Sequence, residues 1–223
     1  MNNLKKIGPL ALRAFLYAIA LLVICLIIIK DFANAVVLED EIIEITQEIF
    51  LVLAVLVSLM ATKFKGFKTF NYVMAGMLSV HFIREFDFWL NYNIYEYAWQ
   101  ILAILVFIPT VYLMLKKRQF FIDELFKLSK TYGFGIFLSG FLSLHIFSRL
   151  FGSKKIWNWL MEPIYNENIA EVNGEKVISL YDFVFPLKTG VQEGVELFAY
   201  LWILIGIIEM YITMKHHKND LNK

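Results

Sequence analysis

Glu39-Asp40-Glu41-Ile42-Ile43-Glu44-Ile45-Thr46-Gln47-Glu48-Ile49-Phe50-Leu51-Val52-Leu53-Ala54-Val55-Leu56-Val57 begins as an acidic flank and continues as an apolar run with the character of a membrane span. Its carboxylates therefore enter the hydrophobic segment rather than stopping at its edge. At about 100° per residue, Asp40, Glu41, Gln47 and Glu48 all fall within about 60° of Glu44, so one helix face carries the polar set and the other stays apolar.

The rest of the chain has the composition that such a segment implies. Its 223 residues are 59% hydrophobic and 18% charged, with a mean hydropathy of +0.62. Ordinary soluble domains are less apolar and more charged, so the chain reads as an integral membrane protein. A formal charge of +1 hides a strong segregation of sign along the sequence, and nothing in the pattern calls for a nucleic-acid partner. The single cysteine, Cys25, lies in an apolar run, where it acts as a small packing residue and has no intrachain partner.

Six runs, at about 10–29, 42–62, 70–90, 97–115, 132–150 and 194–214, are each near the roughly 20 residues needed to cross a bilayer. The first follows Lys5 and Lys6 like a signal sequence, but it is long enough to span, so it is read as a retained helix. The third is the weakest by hydropathy, since its last turns hold His81, Arg84, Glu85 and Asp87; a re-entrant segment is the alternative. Lysines and arginines collect before the first run, at 63–68, at 116–130 and after the sixth, and six crossings put all four groups on one side. The positive-inside rule makes that side cytoplasmic. The expected fold is an all-α, six-transmembrane-helix bundle forming one integral membrane domain over residues 1–223, in the inner (plasma) membrane with both termini cytoplasmic.

Between the runs, Pro109 should kink or end the fourth, and Gly152 is placed to cap the fifth. Residues 120–128 mix apolar and charged side chains at helical spacing, as in a short helix on the inner surface. The loop 151–193 is expected to be outside and structured, with an aromatic interfacial segment at 156–161 and a short β-hairpin around Asn173-Gly174. It serves either as a lid or as an ordinary ordered loop. Trp89, Tyr92, Tyr95, Tyr97 and Trp99 form an aromatic belt.

With this topology, four runs carry polar residues to one depth near the outer surface. The second brings Glu44, Gln47 and Glu48; the third His81, Arg84 and Glu85; the fifth His145 and Arg149; the sixth Glu193, Glu196 and Tyr200. A charge at the bilayer centre costs about 2.5–3.5 kcal/mol on insertion scales, so such groups face each other or water. Glu209, near the inner end, is expected to reach the inner interface or Lys215.

Glu44, Glu48, Glu85, Glu193 and Glu196 stand against Arg84 and Arg149, with His81 and His145 near neutral. Carboxylates crowded in a low dielectric need protons, a metal cation or a cationic ligand. A divalent metal, zinc, iron or manganese, would draw on His81, His145, Glu48, Glu85 and Glu196. Neither Glu-x-x-His nor His-Glu-x-x-His is present, however. Glu44, Glu48, Glu85, Glu193 and Glu196 are the candidates for acid–base work, and Arg84, Arg149, Gln47 and Tyr200 for holding the anionic head of a lipid or lipid-linked substrate.

Arg84-Glu85-Phe86-Asp87, Ser148-Arg149-Leu150-Phe151-Gly152-Ser153-Lys154 and Glu193-Gly194-Val195-Glu196-Leu197 together resemble a group of uncharacterised bacterial multi-pass membrane proteins. The resemblance runs from the second span onward and implies a bacterial inner-membrane location and a six-helix layout, with no activity attached. Seven-helix ceramidase-like hydrolases, which hold zinc with three histidines, fit less well: this chain is one helix short and its histidines divide between two ends. Three functions remain open. They are a lipid-directed hydrolase or transferase, a proton- or cation-coupled transporter, and a non-catalytic scaffold whose buried polar network orients the helices.

Overall fold

A computed structural model describes residues 2–34, 41–169, 171–172 and 175–221. The chain order is α1 (Asn2–Asn34), α2 (Glu41–Ala61), α3 (Lys68–Glu85), α4 (Asp87–Asn93), α5 (Ala98–Lys116), α6 (Arg118–Ser129), α7 (Tyr132–Leu142), a π-helical turn (Ser143–Phe147), α8 (Ser148–Phe151), α9 (Lys154–Asn168), β1 (Glu171–Val172), β2 (Glu175–Lys176) and α10 (Leu180–Leu221). It packs as two compact units, Met1–Ile43 with Leu142–Phe198 and Glu44–Phe141 with Ala199–Lys223. Among the described residues five segments are long and apolar enough to cross a membrane: Ile7–Lys30, Ile42–Ala61, Ala98–Lys116, Tyr132–Phe151 and Leu180–His217.

The exteriors of these helices are apolar. Only 6% of the residues in the most apolar stretch of Ile7–Lys30 are buried, and Phe15 and Leu22 are 63% and 60% exposed. In water such a surface is untenable, and in lipid it is the expected one. Helix α2 shows the same logic residue by residue. Ile43, Gln47, Leu51, Ala54, Ser58 and Ala61 are buried in steps of four and three, one stripe of a 3.6-residue helix, while Ile45, Ile49, Leu53 and Leu56 are exposed.

The third expected span differs from the others. Helix α3 stops at Glu85, with Phe86 as its C-cap, and α4 starts at Asp87, so the polar cluster His81 to Asp87 sits at a helix break. Helix α10 departs from expectation in the other direction. It begins at Leu180, inside the segment read as outer loop, and runs for 42 residues. At 1.5 Å per residue that is about 63 Å, roughly twice the hydrocarbon thickness. The segment 151–193 is therefore mostly helical. Within it the two-residue strands pair antiparallel, Glu171 with Lys176 and Val172 with Glu175; Asn173 and Gly174 lie outside the described residues, as do Glu39 and Asp40. Pro109 does not end α5, which continues to Lys116.

In the first unit, α9 is tied down at both ends. The Trp157 indole donates to the Phe151 carbonyl at 2.5 Å, and the Tyr165 hydroxyl donates to the Ile178 carbonyl at 2.6 Å. Gly152 caps α8 with a right-handed φ of −74°, and its need for glycine is spatial: an added Cβ would stand 2.7 Å from Oε1 of Gln192.

In the second unit, α7 and α10 approach closely enough that their backbones touch. A Cβ on Gly206 would lie 2.4 Å from the Phe137 amide nitrogen, one on Gly140 2.8 Å from the Ala199 carbonyl oxygen, and one on Gly133 2.8 Å from the Met210 amide nitrogen. Small residues serve this role between membrane helices, where close packing replaces the missing hydrophobic drive. Helix α3 packs on α5 in the same manner, with Gly76 against the Thr110 side chain.

Helix α6 holds the start of α3 through Glu124, which is 5% exposed. Its carboxylate accepts the Phe70 amide at 2.6 Å, and the Thr69 and Lys68 amides also bond to it. These are orphan donors of a helix first turn, satisfied by a side chain distant in sequence. Burial pushes the Glu124 carboxyl above its usual range; the three amides and Lys127 pull the other way.

The glycine contacts give a sharp contrast. Gly206→Ala should destabilise the detergent-solubilised protein by about 1–3 kcal/mol, because the clash is with backbone. Gly135→Ala, inside α7 with nothing within 4 Å of the added atom, should leave stability unchanged or raise it by up to about 1 kcal/mol. Thermal or denaturant unfolding of the two variants checks both.

Candidate functional site

In the second unit, Glu85 ends α3 and is the best-connected of the expected residues. The Arg84 guanidinium donates to Glu85 Oε1 through Nη2 at 2.5 Å and Nε at 3.2 Å, and the Tyr200 hydroxyl donates to the same oxygen at 2.5 Å. Tyr200 is 1% exposed and Glu85 15%. The expectation that α3 and α10 bring Glu85 and Tyr200 together is met by this bond, which fixes the end of α3 on α10.

Helix α2 supplies the acidic neighbours. Gln47 is buried at 2% exposure, Glu48 is half-buried, and Glu44 is exposed. Glu48 lies within electrostatic reach of both Glu44 and Glu85. His81, one turn before Glu85, is half-buried. The second unit thus gathers the carboxylates of Glu44, Glu48 and Glu85 with the Arg84 guanidinium at the end of α3. An aromatic run follows directly: Phe82 and Phe86 have ring centroids 5.4 Å apart, and Phe86 and Trp89 are 5.8 Å apart.

In the first unit the pattern differs from the sequence expectation. His145 and Arg149, expected at i and i+4 on the polar stripe, are exposed; Leu144 and Ser148 are buried instead. The buried positions Gly133, Phe137, Gly140, Leu144 and Ser148 follow in steps of four and three, one stripe that continues through the π-turn at Ser143–Phe147, and His145 and Arg149 fall beside it. Ser148, 0% exposed, donates a short hydrogen bond to Glu196.

Gln192 Nε2 also reaches Glu196 Oε1 at 3.3 Å, and Lys188 Nζ reaches Gln192 Oε1 at 3.2 Å. Lys188, Gln192 and Glu196 therefore form a row at i, i+4 and i+8 on α10. That spacing was visible in the sequence, but the lysine and the glutamine fell outside the span as drawn. Glu193 is half-buried.

Glu209, expected to reach the inner interface or Lys215, is 0% exposed and accepts a short hydrogen bond from the Tyr132 hydroxyl of α7. Its backbone carbonyl accepts from Thr213 Oγ1 at 2.9 Å. Glu196 and Glu209 each accept a hydrogen bond from a hydroxyl on a separate stretch of helix, as Glu85 does. Neither Ser148 nor Tyr132 carries a signal of its own in the sequence, since a hydroxyl in an apolar run usually bonds its own backbone.

Among the described residues, no three of His, Cys, Asp or Glu gather in a way that could hold a metal ion. The pool His81, His145, Glu48, Glu85 and Glu196 thus supplies no three-ligand group there. Comparison with protein-family models, curated proteins and solved structures finds no match to this chain.

The Tyr200–Glu85 bond can be probed directly. Tyr200→Phe keeps the ring and removes one charge-assisted hydrogen bond, and should lower unfolding stability by about 1.5–3 kcal/mol. Unchanged stability in Tyr200→Phe would show that the hydroxyl contributes nothing to the end of α3.

Proposed function

We propose that this multi-pass membrane protein binds the cationic head of a membrane-soluble ligand at the end of α3, as a carrier or ligand-binding protein. The carrying observation is the acidic group in the second unit, where Glu48 is within reach of Glu44 and Glu85 and the Arg84 guanidinium is bonded to Glu85. Such a group takes up positive charge, as a proton or as a ligand cation. The neighbouring Phe82, Phe86 and Trp89 rings favour an organic cation, which gains from aromatic faces as well as from carboxylates.

A metal-dependent hydrolase or transferase has less support, because the described donors do not assemble as a ligand set. The remaining carboxylates, Glu196 and Glu209, read as braces of α10, each tied to a hydroxyl on another helical segment.

The proposed topology keeps six crossings, with α3 as the sixth and both termini cytoplasmic in a bacterial inner membrane. Contacts inside the second unit support a crossing by α3. Phe67, just before α3, lies beneath Lys127 of α6, and the Glu124 carboxylate of α6 bonds to the Phe70 amide. The start of α3 and the end of α5 are therefore at one level. If α5 crosses the membrane between 98 and 116, the chain must also cross between 68 and 97, and α3 is the helix there. The positive-inside rule then puts Glu44, Glu48 and Glu85 near the outer face.

The test uses the full-length protein in nanodiscs and a long-chain alkyltrimethylammonium probe. Wild type should bind saturably, and Glu44→Gln/Glu48→Gln should weaken binding roughly tenfold or more. Equal binding by wild type and this variant would contradict the proposal. Stoichiometric zinc, iron or manganese that is lost in Glu48→Ala would instead restore the metal-enzyme reading.

A further inference from the structure

The other end of the second unit is built quite differently. Three chain segments meet there: the 62–67 connection, α6, and the last turns of α10. Lys127 Nζ stands 5.9 Å from the Phe67 ring, the Phe67 and His217 rings are 5.8 Å apart, and Lys63 Nζ is 5.3 Å from the Tyr211 ring. Lys116, Lys117, Arg118 and Lys130 are exposed around them. The acid best placed to offset these cations, Glu124, is turned inward onto the Phe70 amide of α3, which leaves exposed Asp123 as the acid of α6 facing Lys116, Lys117, Arg118 and Lys130. The exposed surface is left strongly basic.

Helix α6 also presents two faces. Glu124 and Leu128 are buried, and Phe121 stacks on Phe70 at 6.1 Å, so this face holds the helix to the unit. One turn apart on another face, Ile122 and Phe126 are 53% and 61% exposed, and Lys130 Nζ lies 4.1 Å over the Phe126 ring. An apolar row beside cations belongs at a lipid interface, with rings toward the acyl region and ammonium groups at phosphate level. Depth is set by the chain itself, because the spanning segment Ala98–Lys116 ends two residues before α6 begins at Arg118.

We infer that the basic end of the second unit, centred on α6, is a docking surface for the phosphates of anionic phospholipids. The occupant follows from complementarity: the cations need anions, and the exposed Ile122 and Phe126 need acyl chains in the same molecule. A soluble anion satisfies the first requirement alone. This inference depends on the membrane assignment and is independent of the cationic-ligand site.

Full-length protein is equilibrated in detergent micelles holding equal amounts of phosphatidylglycerol and phosphatidylcholine, and retained lipid is read by native mass spectrometry. Wild type should retain phosphatidylglycerol over phosphatidylcholine by roughly tenfold or more, since each basic residue near an anionic surface contributes on the order of a fivefold preference. Lys116→Gln/Lys117→Gln/Arg118→Gln/Lys130→Gln should lose the preference, and Lys154→Gln/Lys155→Gln in the first unit should keep it. Wild type in about 0.5 M salt should also lose most of it, a reading that stands even if the fourfold variant does not fold. No preference in wild type, or a preference unaffected by both the fourfold change and salt, would overturn the inference.

Discussion

A carboxylate in the interior of an apolar helix bundle is tolerable when a donor meets it, and the helices of this protein are placed so that donors do. Glu85 receives the Tyr200 hydroxyl and the Arg84 guanidinium, Glu196 receives Ser148 and Gln192, and Glu209 receives Tyr132. Three of these participants, Glu196, Tyr200 and Glu209, lie on α10. Leaving such a buried acceptor without its donor costs more than an ordinary hydrogen bond contributes. The glycines of α7 and α10 serve the same end, because Tyr132 is followed directly by Gly133, whose missing side chain lets α7 close on Glu209 and Met210.

The two ends of the second unit divide the charge. One end carries Glu44, Glu48 and Glu85 with Arg84; the other carries exposed lysines and Arg118, with Glu124 withdrawn into the cap of α3. That separation lets a small net charge coexist with two surfaces of opposite chemistry, one suited to a cationic ligand and one to anionic phosphates. Between them α3 runs from its Glu124-capped start to its Glu85 end, so both polar ends are referenced to one helix.

Much of this was legible in the sequence, and the parts that were not have identifiable causes. Six apolar runs near the length of a bilayer stand out, and five of them coincide with helices long and apolar enough to cross a membrane among the described residues; of the polar wall expected on α2, Gln47 is buried and Glu48 half-buried, while Glu44 is exposed. The Glu85 and Tyr200 stripes were also visible. His145 and Arg149 were misplaced because their i, i+4 spacing shows only that they share a face, while the face that is buried is the one carrying Gly133, Phe137, Gly140, Leu144 and Ser148. The early start of α10 was hidden by Pro186 and the polar residues around it, which depress hydropathy without interrupting the helix. The partner of Glu209, Tyr132, lies 77 positions away, and the partners of Glu124 are backbone amides, which no residue type announces.

The account rests on the buried carboxylates being held by specific hydroxyls, and a double-mutant cycle on Tyr132 and Glu209 tests that most directly. Unfolding free energies of wild type, Tyr132→Phe, Glu209→Gln and the double variant should give a favourable coupling of about 1 kcal/mol or more, at the upper part of the range for side-chain hydrogen bonds between membrane helices. Strictly additive losses would mean that the pair does not hold α7 to α10, and would contradict the account.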